Sequence, residues 1–421
     1  MDRRALGTAQ VIRANSRDLP LADNSVDLVV TSPPYFALRS YQDGGEHYAG
    51  QIGDEPTPAE FVESLLEVTR ECVRVLKPSG SLWVNLGDKY SATSTPGPQS
   101  DKSKMTGGRH KGVDDVLPRR ISPGAPPKSL IGIPWRYTLR CIDDLGLILR
   151  AEVIWSKPNG LPESVTDRVR RSHETWFHFT RESRYFSAVD EIREEHVYPN
   201  DAGRARKGYV GKVDAPAQYG NTAGDAALGK LPGSVWTIPT QPLRVPEHLG
   251  IDHFAAFPME WPRRIIQGWS PSGICTECGE GRRPVVERGP TFLSAHPMPH
   301  PTAEGGDVRK QRARGQKHQD WKNAHPDTLT GEACACPEPT APTRPAVVLD
   351  PFGGTGTTAL VAKALGRHGI SVDMSADYCR LAEWRTTDEG ELARALQVEK
   401  PAKQVDGQAS LLDLLTEEAT A

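Results

Sequence analysis

Asp350-Pro351-Phe352-Gly353-Gly354-Thr355-Gly356-Thr357-Thr358 decides the fold of this chain. Ala346-Val347-Val348-Leu349 ahead of it reads as a short buried strand, and Ala359 to Leu365 behind it reads as a helix. Strand, glycine turn and helix start together make a nucleotide-binding crossover. Glycines in such a turn supply unusual dihedrals and let a ligand approach the backbone. The next strand, Gly369-Ile370-Ser371-Val372, ends on Asp373, where an acid commonly holds ribose hydroxyls. Alone, a glycine turn also fits a dinucleotide site or a plain tight turn.

A second stretch, far earlier, narrows the choice. Ser25 to Val30 reads as a strand running into Thr31-Ser32-Pro33-Pro34-Tyr35. Two prolines end the strand and stiffen its exit. Open α/β sheets place their chemistry at such carboxyl ends. The turn offers the Ser32 hydroxyl, the Pro33 carbonyl and the flat face of Tyr35. Two acceptors and a stacking surface suit a planar base with an exocyclic amine. The plainer alternative is a strand-ending turn with a core tyrosine.

The whole chain sets the bounds. Its 421 residues allow one large domain with insertions, or two to three smaller ones. Mean hydropathy is -0.51, and 39 Gly with 36 Pro predict a soluble protein with long polar loops. A net charge of -3 gives no global basic field, so nucleic-acid contacts would come from local basic segments. No secretory signal and no apolar run long enough for a membrane span is visible. Seven cysteines without a signal predict a reducing, cytoplasmic location.

Val11 to Asn15 reads as a first strand, and Phe61 to Lys77 as a helix stopped by Pro78-Ser79-Gly80. Cys72 falls on its apolar face as a small buried hydrophobe. Ser81 to Leu86 is the next strand. Residues 91–128 lose periodicity, and their basic residues predict a mobile loop, closing over DNA phosphates or merely solvated. A helix from Ile133, strands at 147–155 and 175–180 paired like a hairpin, a short strand at 234–238 and a helix from Met259 to Trp269 follow. Tyr378 to Ala395 reads as a closing helix with a break at Gly390. Ser410 to Leu415 reads as an amphipathic helix or a docking segment. Cys275-Thr276-Glu277-Cys278 and Cys334-Ala335-Cys336, 55 residues apart, predict a structural zinc held by four thiolates. Two pairs of free thiols are the alternative.

Taken together, Thr-Ser-Pro-Pro-Tyr at 31–35 and Asp-Pro-Phe-Gly-Gly-Thr-Gly-Thr-Thr at 350–358 resemble the amino-methylating DNA methyltransferases. The catalytic motif preceding the cofactor motif is the order of their beta class. Ser25 to Val30, Arg74 to Gly80, Trp155 to Asn159, Ser172-His173-Glu174 and His253 to Pro258 share the resemblance, which spans most of 9–186, 234–270 and 346–385. It implies a Rossmann-like, doubly wound α/β fold. The sheet would be mainly parallel, with circularly permuted motif order and loop and zinc-knuckle insertions. Residues 1–186 would form the catalytic half, 187–252 the target-recognition region, 253–270 a cofactor-pocket segment, 271–345 the zinc-binding insertion, 346–395 the cofactor half and 396–421 a polar tail.

By the same resemblance the cofactor is S-adenosylmethionine. Asp350, Phe352, Gly353, Gly354, Gly356 and Thr357 would line its pocket and Asp373 would hold the ribose. Phe254, Ala255 and Phe257 would cover the methionine end. Ser32, Pro33, Pro34 and Tyr35 would hold a flipped base. Asn15 stands where family members often carry an acid, so an amide would replace a charge there. The family tends to pair Ser-Pro-Pro-Tyr with cytosine N4, and Asp- or Asn-Pro-Pro-Tyr with adenine N6, so Ser32 favours cytosine. The expected partners are double-stranded DNA, a cognate restriction endonuclease and a second copy of the chain, with no membrane. A non-catalytic DNA-binding module on this scaffold is the reading from another class. It leaves two intact turns without a task.

Overall fold

The computed structural model describes residues 6–37, 42–43, 46–47, 50–91, 125–160, 163–194, 229–251, 256–287, 290, 317, 321, 324–325, 328–337 and 340–399. The expected loop 91–128 and the tail from 396 lie largely outside them, Ser410 to Leu415 wholly so, and of the recognition region 187–252 residues 195–228 and 252 do. The chain divides into two compact units. One comprises 1–187, 234–274 and 343–421, and the other 188–233 and 275–342.

The strands are β1 (Thr8–Arg13), β2 (Val26–Thr31), β3 (Gln42–Asp43), β4 (Glu46–His47), β5 (Leu76–Leu86), β6 (Ile148–Ser156), β7 (His173–Thr180), β8 (Val235–Thr237), β9 (Ile274–Cys275), β10 (Arg283–Glu287), β11 (Thr328–Ala333), β12 (Thr343–Arg344), β13 (Val347–Asp350) and β14 (His368–Asp373). The helices are α1 (Pro58–Val75), α2 (Ile133–Asp143), α3 (Glu260–Trp269), α4 (Thr357–Ala364), α5 (Ala376–Thr387) and α6 (Glu389–Leu396).

The first unit is built on an eight-stranded sheet in the order β1-β14-β13-β2-β5-β7-β6-β8. The run from β1 to β5 is parallel, whereas β7 is antiparallel to both β5 and β6. Continuous apolar residues in β2 and β13 suit strands covered on both faces. Val26, Leu28, Val29, Val30, Val348 and Leu349 are all fully buried. From β13 the chain crosses through α4 to β14 on one side, and from β2 through α1 to β5 on the other. The neighbours β13 and β2 are therefore the switch point, where such sheets open a crevice at their carboxyl ends.

Alternation along β5 and β7 separates the two faces. Leu82, Val84, Phe177 and Phe179 pack with Phe61, Leu65 and Leu66 of α1 and Tyr137 of α2. On the other side Trp83, Trp176, Trp236, Trp261 and Trp269 form an aromatic layer, with Trp176 and Trp261 stacked at 4.9 Å and Trp236 and Trp261 at 5.0 Å. Thr57 and Glu60 close a capping box that starts α1. Cys72 is buried on the apolar face of α1.

Three boundaries differ from the sequence reading. Leu76 is already extended (φ -73, ψ 133), so β5 begins there, and Pro78-Ser79-Gly80 sits inside the strand where its register with β2 shifts. The closing helix is two, because Asp388 turns extended (φ -70, ψ 126) and its carboxylate caps Glu391 N. Gly390 is inside the second helix and breaks nothing. The glycine turn hands over to helix two residues early, at Thr357.

Candidate active site

Five parallel strands deliver their carboxyl ends to one edge of the sheet: Arg13, Thr31, Leu86, Asp350 and Asp373. An open cleft lies there, bordered by residues of both turns. Of the residues expected at the site, Asn15, Ser32, Pro34, Phe352, Gly354 and Asp373 line it. The base-side turn and the glycine turn thus share one cavity.

The glycine turn explains its own composition. Gly354 (φ +47) and Gly356 (φ +73) adopt the left-handed region. A Cβ on Gly354 would meet only Phe352 O, at 3.9 Å, so the backbone there borders open cleft. Gly354 N donates to Asp373 Oδ2 at 2.9 Å, and Ser375 N to Asp373 Oδ1 at 2.9 Å. These bonds fix the Asp373 carboxylate at the cleft wall. Asn15 Oδ1 accepts from Arg17 N at 3.0 Å, which holds its amide at the rim.

Asp350, Gly353, Gly356 and Thr357 stand behind the wall of the cleft. Asp350 turns inward and is 1% exposed. Its carboxylate accepts from Thr31 Oγ1 at 2.7 Å, Thr358 Oγ1 at 2.8 Å and Phe352 N at 3.1 Å. It therefore clamps the ends of β2 and β13 to the start of α4. Burial pushes its carboxyl up to about 6, against the pull of the Thr31 and Thr358 hydroxyls.

A pH test follows from that shift. A carboxyl whose folded pKa is raised lends stability that is complete below its unfolded pKa and lost as pH rises through the folded one. Unfolding free energy of the wild type, relative to Asp350→Asn, should fall by about 1–3 kcal/mol between about pH 4 and pH 7. Urea melts across that range check it. A constant difference would contradict the buried, raised carboxyl.

On the base side, Pro33 lines a small void with Thr31, Leu65 and Tyr137, while Tyr35 packs its ring on Gly87. A Cβ there would come 2.6 Å from Tyr35 Cε2. Tyr35 Oη lies 2.7 Å from Glu174 Oε2 and 2.9 Å from Asn85 Oδ1. Glu174 is ion-paired with Lys157 Nζ and is the stronger acceptor for the phenolic proton. Ser32 Oγ donates to Asn85 Oδ1 at 3.2 Å, and Asn85 Nδ2 donates to the Thr175 carbonyl at 3.2 Å. The last bond fixes which end of the amide faces Ser32. With its proton directed to Asn85, Ser32 presents lone pairs outward.

Asn85, Glu174 and Lys157 were not assigned roles from sequence, nor were Ser16, Arg17, Gln51 and Tyr378 of the cleft wall. A polar residue ending the strand after the proline turn was the available sign for Asn85. Phe257 packs edge-on against Trp176 at 5.8 Å. Phe254 and Ala255 lie outside the described residues. In the second unit, the four sulfurs of Cys275, Cys278, Cys334 and Cys336 lie within 4.8 Å of one another.

Comparison with known proteins decides the lineage. The N6- and N4-amino DNA methylase family model matches residues 26–275 and 343–384, more than half of the chain. The chain belongs to this DNA methylase family. Type II methyltransferase M.XycI of Xanthomonas campestris pv. cyanopsidis is 35% identical over 60% of the methylase and 69% of its own length. Type II methyltransferase M.SmaI of Serratia marcescens is 29% identical over 85% of the methylase and 83% of its own length. The solved PvuII DNA methyltransferase (cytosine-N4-specific) aligns over 94% of the methylase and 95% of its own chain, at 17% identity and a TM-score of 0.49. The methylase is an S-adenosylmethionine-dependent enzyme of DNA, and no described helix is long and apolar enough to cross a membrane.

Proposed function

We propose that this methylase transfers a methyl group from S-adenosylmethionine to N4 of a cytosine flipped out of duplex DNA. The observation that carries the reading is Ser32, on the wall of the cofactor cleft with its proton held by Asn85. Bound there, S-adenosylmethionine supplies an electrophilic methyl on a sulfonium. Gly354, Asp373 and Asn15 would hold it, the Asp373 carboxylate accepting hydroxyl hydrogens.

An exocyclic amine is a poor nucleophile because its lone pair is delocalised into the ring. Ser32 Oγ and the Pro33 carbonyl would accept its two hydrogens and favour a pyramidal nitrogen with a localised pair. The same acceptors stabilise positive charge developing on nitrogen. Tyr35, tethered by Glu174 and braced on Gly87, offers a fixed ring for the base. No covalent enzyme intermediate is required, and Cys72, Cys141 and Cys379 are buried. A serine, rather than an acid or amide, ahead of Pro-Pro-Tyr supports cytosine over adenine. Similarity to Type II methyltransferases supports a role in restriction–modification or DNA protection, alongside a cognate endonuclease. Residues 187–252 would read the target sequence.

Nucleoside mass spectrometry after reaction of mixed-sequence duplex with deuteromethyl S-adenosylmethionine tests this. Labelled N4-methylcytosine is expected. Labelled N6-methyladenine would overturn the inference from Ser32 alone, and no label would overturn the reaction.

Zinc belongs to the same proposal as a structural ion in the second unit. Zn–S bonds of about 2.3 Å require tetrahedral S–S edges of about 3.8 Å. Cys275 Sγ and Cys336 Sγ are 3.8 Å apart. Backbone N–H groups of Cys278 and Glu277 pull the Cys275 thiol down to about 6, while the neighbouring Cys278 sulfur and burial push Cys336 up to about 12, so a bound metal would have to displace thiol protons. Four thiolates leave no position open for catalysis. Purified protein should carry one zinc per chain and Cys278→Ser should lose it. Metal-free protein with four reactive thiols would refute the site.

A further inference from the structure

The glycine turn of the cofactor cleft rests on a buried charge pair. Arg385 of α5 and Glu391 of α6 have side chains 3% and 5% exposed, with Nε and Oε2 2.9 Å apart. The guanidinium also donates from Nη1 to Thr357 Oγ1 at 2.6 Å and to Thr355 Oγ1 at 2.9 Å, and approaches the Thr355 carbonyl at 3.4 Å. These threonines flank Gly356, and Thr355 lines the cleft. The backbone of α5 presses on the turn as well: a Cβ at Gly356 would come 3.0 Å from Ala382 Cα.

A buried ion pair is a poor way to stabilise a fold, since apolar residues of like volume serve as well or better. Its presence here calls for something that only a charged fork supplies. A guanidinium presents five donors in one rigid plane, enough to bridge a carboxylate and two hydroxyls at once. Thr355 Oγ1 and Thr357 Oγ1 are 3.2 Å apart and share that fork. Glu391 keeps the fork aimed, and its own backbone N is capped by Asp388 Oδ1 at 2.9 Å.

We infer that Arg385, aimed by Glu391, is a positioning residue for the cofactor: it sets the Gly354–Thr357 backbone that borders the cleft. The inference rests on the cleft being the S-adenosylmethionine site. Through it, the Arg385–Glu391 pair governs cofactor affinity from behind the turn.

The double variant Arg385→Met/Glu391→Met removes both charges while keeping volume. It should melt within a few degrees of wild type, yet bind S-adenosylmethionine at least tenfold more weakly by calorimetry. In turnover the loss should fall on KM for the cofactor rather than on kcat. Arg385→Lys keeps the charge, but its single nitrogen cannot hold Glu391 and both hydroxyls in the spaced geometry of the fork, and it should also weaken binding. It serves as the test if the double variant fails to fold. Binding within twofold of wild type in either folded variant would overturn the inference. Wild-type protein that binds no S-adenosylmethionine would overturn the cleft assignment, and this inference with it.

Discussion

Ser32→Ala should lower the single-turnover rate of methyl transfer by about 10²–10³-fold, the usual loss when one preorganised polar group is removed from a developing charge. Cofactor binding should survive, because the glycine turn and Asp373 are untouched. In the proposed reaction the hydroxyl accepts an amine hydrogen, and its bond to Asn85 Oδ1 would direct its own proton away from the base. Its amide is fixed by the bond from Nδ2 to the Thr175 carbonyl. Asn85→Ala should therefore slow transfer in the wild-type background and add little to Ser32→Ala. Groups that act as a unit are non-additive in this way. Fully additive losses would show that Asn85 acts elsewhere. A Ser32→Ala enzyme within threefold of wild type would remove Ser32 from the chemistry.

Gly353→Ala is expected to be the most damaging single methyl in the cofactor half. An ideal Cβ at this position lies 1.9 Å from Ser371 Oγ, 2.9 Å from Ser371 Cβ and 3.1 Å from its Cα. The hydroxyl can rotate, but the backbone of β14 cannot retreat: Gly353 N donates to the Val372 carbonyl at 2.9 Å. The turn must move outward, into the cleft. Overpacking of this kind costs about 1–3 kcal/mol, part in stability and part in ligand affinity. Binding of S-adenosylmethionine should weaken about tenfold or more, as that energy implies. Ser371→Gly, which removes the nearest atoms, should restore much of it. Gly354→Ala makes the opposite case: its Cβ meets open space, and the cost is the left-handed φ of +47. Melting curves and calorimetry on these variants separate collision from dihedral strain. Failure of Ser371→Gly to rescue would rule out the collision.

Local pattern made much of this protein legible. The period of α1, the apolar runs of β2 and β13, the proline exit at 33–34 and the glycines at 354 and 356 each depend on residues close in sequence. Propensity and sterics act over that range. Where the reading slipped, a neighbour in space overruled it. Leu76 extends because β5 pairs with β2 from that residue on, and the last helix splits because the Asp388 carboxylate caps Glu391 N.

The sequence by itself determined the two turns, their order along the chain and hence the family of chemistry. It also placed four cysteines in two close pairs, Cys275 with Cys278 and Cys334 with Cys336. Only the tertiary structure decided which way each polar side chain faces. Asp350 looked like a cofactor ligand, yet it turns inward to Thr31, 319 residues away, because β13 and β2 are neighbours in the sheet. Ser32 turns to Asn85 because β2 and β5 are neighbours, and Thr357 to Arg385 because α4 packs against α5. Strand order determines which donors meet which acceptors inside a dry interior. That order comes from burial summed over the whole sheet, which no local stretch of sequence contains.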